Sequence, residues 1–261
     1  VSVNDQWLDK GHSILYHGKE VEPRGKRTYE LPHQTVKVPM RQPVLTIPGR
    51  QLSYQFMAAE AYWILTGDRH VATIAPYNKY ISQFSDDGET FAGAYGPRIM
   101  EQLDYVVGKL IEDPMSRQAV LTIWTPNPGP SKDIPCTVAI GFQVRDGKLN
   151  CHVFMRSSDL WLGLPYDLFN FSMLGHLVCC RLRQSLLHQL LEPGDLYLTA
   201  ASLHLYEEHR LKLFDIINDG PDGPEDQPLT PETLFQDEFT LLHTLRELRN
   251  SRVSDRLRWW L

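Results

Sequence analysis

CTVAIGFQVRDGKLNCHVFMRSSDLWLGLPYD occupies residues 136–167 and holds two strand-like runs, Val138–Arg145 and Leu149–Met155, around Asp146-Gly147. Asp-Gly between two such runs signals a tight hairpin, because both residues tolerate the positive φ that a two-residue turn needs. A third strand-like run, Ala119–Thr125, lies upstream, and a fourth, Leu196–Ala201, lies downstream. Leu168–Leu191 is a long, mainly apolar helical segment closed by Pro193-Gly194. Gln55–Leu65 is apolar, rich in helix formers, and stops at Thr66-Gly67-Asp68. Arg98–Glu112 sets Ile99, Leu103, Val106, Val107 and Leu110 on one side and ends at Asp113-Pro114. Strands followed by helices, rather than strict alternation, predict an α+β fold with helices packed on a sheet.

The chain has 261 residues, enough to bury a core as a single domain spanning 1–261. With 42% hydrophobic and 22% charged residues it has the balance of a soluble globular protein. It contains no apolar run of membrane-spanning length, so no membrane partner is expected. Val1–Lys10 has neither an apolar stretch nor a cleavage site, so no leader is expected there. The four cysteines, Cys136, Cys151, Cys179 and Cys180, show no metal-binding spacing, and they fit a reducing cytoplasm. A net charge of −6 argues against a nucleic-acid partner, while converging arginines could still hold one small anion. Asn218–Pro231, dense in Asp, Gly and Pro, reads as an exposed loop. Phe235–Leu261 reads as a terminal helix carrying Leu241, Leu242, Leu245 and Leu248, with its arginines on a solvated face.

Four residues could carry chemistry. Cys136 follows Ile134-Pro135 at the start of a strand, where a cysteine is either a small buried hydrophobe or a nucleophile. Arg156, at the end of the hairpin's second strand, could approach Cys136 and favour its thiolate, or pair with Asp159 at the surface. Glu60 stands among Ala58, Ala59, Ala61, Tyr62 and Trp63, either at the wet edge of the helix or as a functional carboxylate. Asp167 could cap a helix that starts near Leu168 or face a ligand.

The ordered set Pro135-Cys136, Gly141-Phe142-Gln143-Val144, Asp146-Gly147-Lys148-Leu149, Arg156-Ser157-Ser158-Asp159 and Leu162-Gly163-Leu164-Pro165-Tyr166 resembles the heart of thymidylate synthases. Gly194-Asp195, His204-Leu205-Tyr206 and His209 extend the match downstream. Glu60, Trp63, Gly67-Asp68, Tyr95-Gly96, Ser116-Arg117 and Trp124 extend it upstream. The resemblance implies a thymidylate synthase-like fold, a large mixed twisted sheet that also uses one face to form a homodimer. It implies catalytic roles for Cys136, as the thiolate that adds to pyrimidine C6, for Glu60, which organises water, and for Tyr95, which serves proton removal at C5. Phosphate contacts would come from Arg156, Ser157, Arg117 across the subunit boundary, and Arg24 in a region where the patterns align poorly. His204 and Tyr206 would hold the sugar, and Asp159 the folate.

The departures from thymidylate synthases are as informative. Asp167 stands where those enzymes carry Asn, and a carboxyl able to accept from N4 and donate to N3 suits cytosine rather than uracil. Ser202 replaces Asp, Thr137 replaces His after the nucleophile, and Gln118 follows Arg117 where a second Arg is common. The apolar tail that seals the site for hydride transfer has no counterpart in Arg258-Trp259-Trp260-Leu261. These changes resemble the cytidylate and deoxycytidylate hydroxymethylases of the superfamily. The expected function is therefore 5-hydroxymethylation of a cytosine nucleoside monophosphate, CMP or dCMP, with 5,10-methylenetetrahydrofolate as cosubstrate and no metal. Reductive methylation of a uracil nucleotide is the alternative, and an inactive nucleotide-binding homologue the third. Antibiotic biosynthesis and phage DNA modification both require such chemistry.

Overall fold

A computed structural model describes residues 2–185, 190–218 and 235–250. Its helices are α1 (Val3–His17), α2 (Tyr54–Leu65), α3 (Val71–Ile74), α4 (Tyr95–Glu112), α5 (Leu164–Arg183), α6 (Glu207–Asn218) and α7 (Glu238–Asn250). Its strands are β1 (Lys19–Val21), β2 (Thr28–Pro39), β3 (Val120–Thr122), β4 (Thr137–Arg145), β5 (Lys148–Met155), β6 (Ser158–Asp159) and β7 (Glu192–Tyr206). The strands form one mixed sheet in the order β1-β2-β7-β5-β4-β3, with β6 beside β7.

The hairpin is as the sequence predicts. Arg145 pairs with Lys148, and Asp146 and Gly147 take φ of 51° and 71°. Beyond β5 the chain crosses over through α5 and returns as β7 parallel to β5, the connection a parallel pair needs. Leu149, Cys151, Val153 and Met155 of β5 point to the helical side, and α5 is buried continuously from Leu168 to Cys180. The opposite face of β5 carries the exposed His152 and Phe154, with His152 stacked on Tyr197 of β7. Cys179 and Cys180 are unbridged, and burial pushes their thiols up to about 12 and about 11. Among the described residues no helix is long and apolar enough to cross a membrane.

Several boundaries move. The long helix begins at Leu164, before the expected Leu168, because Pro165 sits in the first turn where its missing N–H costs nothing. Asp167 is therefore inside that first turn and is not the cap; Gly163 holds that position. The helix ends at Arg183, and residues 186–189 of the expected span lie outside the described residues. The expected strand Leu196–Ala201 lengthens at both ends into β7. The expected Ala119–Thr125 shortens to β3, and α4 starts three residues before Arg98. Asn218 ends α6, and the remainder of the expected loop lies outside the described residues, as do residues 251–261 of the expected terminal helix.

Candidate active site

Cys136 is half-buried at the mouth of β4, and the ladder places Arg156 opposite it: the Arg156 N–H donates to the Cys136 carbonyl at 2.8 Å. The Arg156 guanidinium does not pair with Asp159. It donates through Nε to the Pro135 carbonyl at 2.9 Å, through Nη2 to the Ile134 carbonyl at 3.0 Å and through Nη1 to Ser157 Oγ at 3.2 Å. A guanidinium has five donors, so this anchoring leaves N–H groups for an outside anion. Ser157 Oγ in turn donates to Cys136 Sγ at 3.6 Å.

Tyr95 enters from the first turn of α4. Its hydroxyl accepts from the Thr137 N–H at 3.2 Å, one residue after the cysteine, and its ring stacks on Phe171 of α5. Gly96 permits this approach, since a Cβ there would meet the Ile64 carbonyl oxygen at 2.9 Å and the Asp68 carbonyl oxygen at 3.0 Å. Burial, then the neighbouring Asp167 and Cys136, drive the Tyr95 phenol upward, so at neutral pH it is a phenol and not a phenolate. It can pass a proton along only while receiving another.

Glu60 does not lie on a wet edge. Asn170 Nδ2 of α5 donates to Glu60 Oε2 at 2.8 Å. Burial pushes the Glu60 carboxyl up to about 7, opposed in part by that hydrogen bond. Asp167, one turn before Asn170 on α5, is raised well above the usual carboxylate range by burial first, then by the negative charges of Glu60 and Asp159. Its carboxyl makes no hydrogen bond with any described residue.

Asp159 of β6 accepts from the Trp161 and Leu162 N–H groups through Oδ1 at 2.7 and 2.8 Å, while Oδ2 is buried with no hydrogen-bond partner among the described residues. His204 Nε2 stands 4.0 Å from that Oδ2, because β6 pairs Asp159 with His204 on β7. His204 packs edge-on against Tyr206, and burial, opposed by Asp159, lowers its pKa, which favours the neutral imidazole. Next to them Trp161 stacks on His209 and also packs against the buried guanidinium of Arg50, which donates to the Trp161 carbonyl.

Cys136, Tyr95, Arg156, Ser157, Glu60, Asp167, Asp159, His204 and Tyr206 are thus linked into one cluster by hydrogen bonds, ring contacts and electrostatic interactions. Arg24 and Arg117 are not tied to it. Each is exposed, and neither side chain makes a hydrogen bond or ion pair with a described residue. Arg24 occupies a turn with φ of 55° ahead of β2, whose Thr28 pairs with Tyr206, so it stands at the same end of the sheet. Two contributors escaped the reading of the sequence. Asn170 had a signal, a lone amide in the apolar run Leu168-Phe169-Asn170-Phe171; Arg50, after Ile47-Pro48-Gly49, had none.

Together the cluster offers a thiol beside a hydroxyl and an anchored guanidinium, two carboxyls that resist ionisation, and a buried phenol. Among the described residues no group of His, Cys, Asp and Glu could hold a metal ion. A family model described as thymidylate synthase matches residues 5–226. A deoxyuridylate hydroxymethyltransferase of Bacillus phage SP01 is 32% identical over 223 residues, covering 77% of this chain and 56% of that relative. The chain therefore spans a little over half the length of the curated relative it matches. By the extent of the family match and the identity to that relative, this chain belongs to the thymidylate synthase family.

Proposed function

We propose that this protein transfers a one-carbon unit from 5,10-methylenetetrahydrofolate to C5 of a cytosine nucleoside monophosphate, CMP or dCMP, and leaves it there as a hydroxymethyl group. The observation that carries this reading is the half-buried Asp167 carboxyl, without a hydrogen-bond partner among the described residues and favoured in its acid form. An acid can donate to N3 of cytosine while its carbonyl oxygen accepts from the N4 amino group. N3 of cytosine is a basic ring nitrogen and shares such a proton well, whereas O4 of uracil is a weak acceptor.

The residues then divide the work. Cys136 adds to C6 as thiolate, which makes C5 nucleophilic. Ser157 and Arg156 hold the thiolate's surroundings polar, and the free N–H groups of Arg156 suit a phosphate dianion. The cosubstrate supplies a carbon at the oxidation level of formaldehyde, and the unpartnered Asp159 Oδ2 fits an N–H donor of a pterin ring. Tyr95, with Thr137 fixing its oxygen, relays the proton removed from C5 as tetrahydrofolate leaves the transferred carbon, which becomes an exocyclic methylene. Glu60, as carboxylate, takes a proton from the water that adds to the new exocyclic carbon, after which Cys136 departs. His204 and Tyr206 hold the sugar. Arg117 and Arg24, exposed and unengaged, are assigned to phosphate, Arg117 from the partner of a homodimer formed through the face bearing His152 and Phe154.

A second reading, the same transfer to a uracil nucleotide, is favoured by the relative named for deoxyuridylate. An acid at Asp167 can also donate to O4 and accept from N3–H. Side-by-side turnover of UMP, dUMP, CMP and dCMP, read as tritium release from C5 and product mass, decides between them. The expected product is a 5-hydroxymethylcytosine nucleotide. Hydroxymethyluracil from dUMP would establish the second reading, and thymidylate with dihydrofolate would overturn both.

A further inference from the structure

Asn170, one helical turn beyond Asp167 on α5, ties that stretch of the helix to Glu60 of α2 at 2.8 Å, and the charges that bear on Asp167 are both negative, Glu60 and Asp159. Two carboxyls in such a place do not both ionise at neutral pH; they retain a proton between them. The proposed chemistry asks opposite things of the two. Glu60 must be a carboxylate to accept a proton from water, and Asp167 must be an acid to donate to the base. Desolvation raises both, so burial does not choose between them.

The difference lies in hydrogen bonding. Asn170 is 4% exposed, stands one helical turn beyond Asp167, and turns its Nδ2 donor to Glu60 Oε2 at 2.8 Å. Asp167 receives no such donor from any described residue. The other groups facing the pair do not reverse this. Tyr166 of α5 accepts the Ser53 N–H; Tyr95 of α4 accepts the Thr137 N–H; Asp159 adds negative charge on the Asp167 side; and Arg50 is spent on the Trp161 carbonyl. A hydrogen bond to one carboxylate favours ionisation there and sends the retained proton to the other.

We propose that Asn170 is a positioning residue that assigns the proton retained by the two carboxyls: its amide N–H holds Glu60 as the carboxylate and leaves the proton on Asp167. This rests on the reading of Asp167 as the base-recognising group and gives that reading its chemical cause. The orientation of the amide is decisive. Its Oδ1 is buried without a partner, and an amide turned the other way would face Glu60 with an acceptor, which only a protonated Glu60 could satisfy. Specificity for the base and activation of water are thereby set by one side chain that touches neither.

Isotope-edited infrared spectroscopy of the unliganded protein at pH 8, above the value of about 7 through which Glu60 ionises, tests this. The carboxylic-acid C=O band that disappears in Asp167→Asn is followed in protein labelled with 13C in the side-chain carboxyl of aspartate or of glutamate. The band is expected to shift with the aspartate label in the native chain and to move to the glutamate label in Asn170→Leu, which removes the donor at similar volume. A native band that follows the glutamate label, or no acid band, overturns the proposal. So does a band that stays with aspartate in Asn170→Leu, since Asn170 would then fill space only. Should Asn170→Leu not fold, Asn170→Ala replaces it, and the native-chain measurement stands by itself. A uracil preference in the turnover comparison would overturn the substrate reading while leaving this band where it is, so the two failures are distinguishable.

Discussion

Ser157 Oγ lies 3.6 Å from Cys136 Sγ and is oriented to donate to it, while the same oxygen accepts from Arg156 Nη1 at 3.2 Å. Guanidinium, hydroxyl and sulfur form a short polar relay. Ser157→Ala should lower kcat/KM by about tenfold, the loss of one hydrogen bond to a charged group at ~1.5 kcal/mol. Cys136→Ala should abolish turnover. Single-turnover kinetics of tritium release measures both, and turnover in Cys136→Ala equal to that of the native chain would remove the cysteine from the mechanism.

Asp167→Asn should move the preference from cytosine toward uracil nucleotides. A buried site built to pair one hydrogen-bonding pattern leaves polar groups unpaired with the other, at ~1–3 kcal/mol per group, so the ratio of kcat/KM values should change by roughly a hundredfold. The fold should persist, because Asp167 is not a helix cap and its carboxyl bonds to no described residue.

Glu60→Gln should cost activity and add stability. Its folded pKa of about 7 lies above the ordinary 4.5, so between those values the folded chain binds more protons than the unfolded one. Stability from this group is full below pH 4.5 and is lost as pH rises through about 7. The Gln variant keeps an acceptor for Asn170 and no charge, so its gain in Tm over the native chain should be larger at pH 8 than at pH 5. Activity of the native chain should rise with pH through about 7 as Glu60 ionises. A Tm difference that does not change with pH would contradict the buried placement of this carboxyl.

His176 shows the opposite dependence. It is buried, bonds through Nε2 to the Met40 carbonyl at 3.0 Å, and is pushed down to about 4 mainly by burial. Its contribution is full above the ordinary 6.5 and is lost as pH falls toward 4, because the unfolded chain then binds the extra proton. His176→Phe should weaken the fold by about 1–3 kcal/mol at neutral pH through the orphaned carbonyl. It should also flatten the acid side of the stability profile in denaturant melts.

Gly96→Ala should damage activity more than its distance from the thiol suggests. Its new Cβ would meet backbone oxygens of Ile64 and Asp68 near 3 Å, and relief requires α4 to back away from α2. Tyr95 would move with it. The expected result is a fall in kcat of about tenfold to a hundredfold with KM for the nucleotide nearly unchanged, since misplacement by an ångström costs on that scale.

Much of this molecule was legible locally. The Asp146-Gly147 hairpin, the core of α4 and most of α2 follow from turn chemistry and helical spacing, which act over a few residues. β2 was not legible because Pro32 and Pro39 argue against a strand, and His33 takes a positive φ of 49° within it. It exists because β7 supplies a long antiparallel partner. α6 was missed because it is mostly exposed, with Leu213 its one buried side chain, so it has no apolar stripe to read. The first turn of α5 was missed because Leu-Gly-Leu-Pro resembles a loop until Gly163 is seen capping it.

By itself the sequence determined the family, through the order and spacing of motifs from Glu60 to His209, and it singled out Asp167 as the residue that departs from the family's usual pattern. Only the tertiary structure decided the environment in which that residue sits. Asn170 is far from Glu60 along the chain, and no local pattern reveals that its amide rests on that carboxylate at 2.8 Å while Asp167 is left without a donor. Ionisation of a buried group depends on which distant elements exclude water from it and which dipoles they bring. That environment is formed when α2, α4 and α5 close over the sheet.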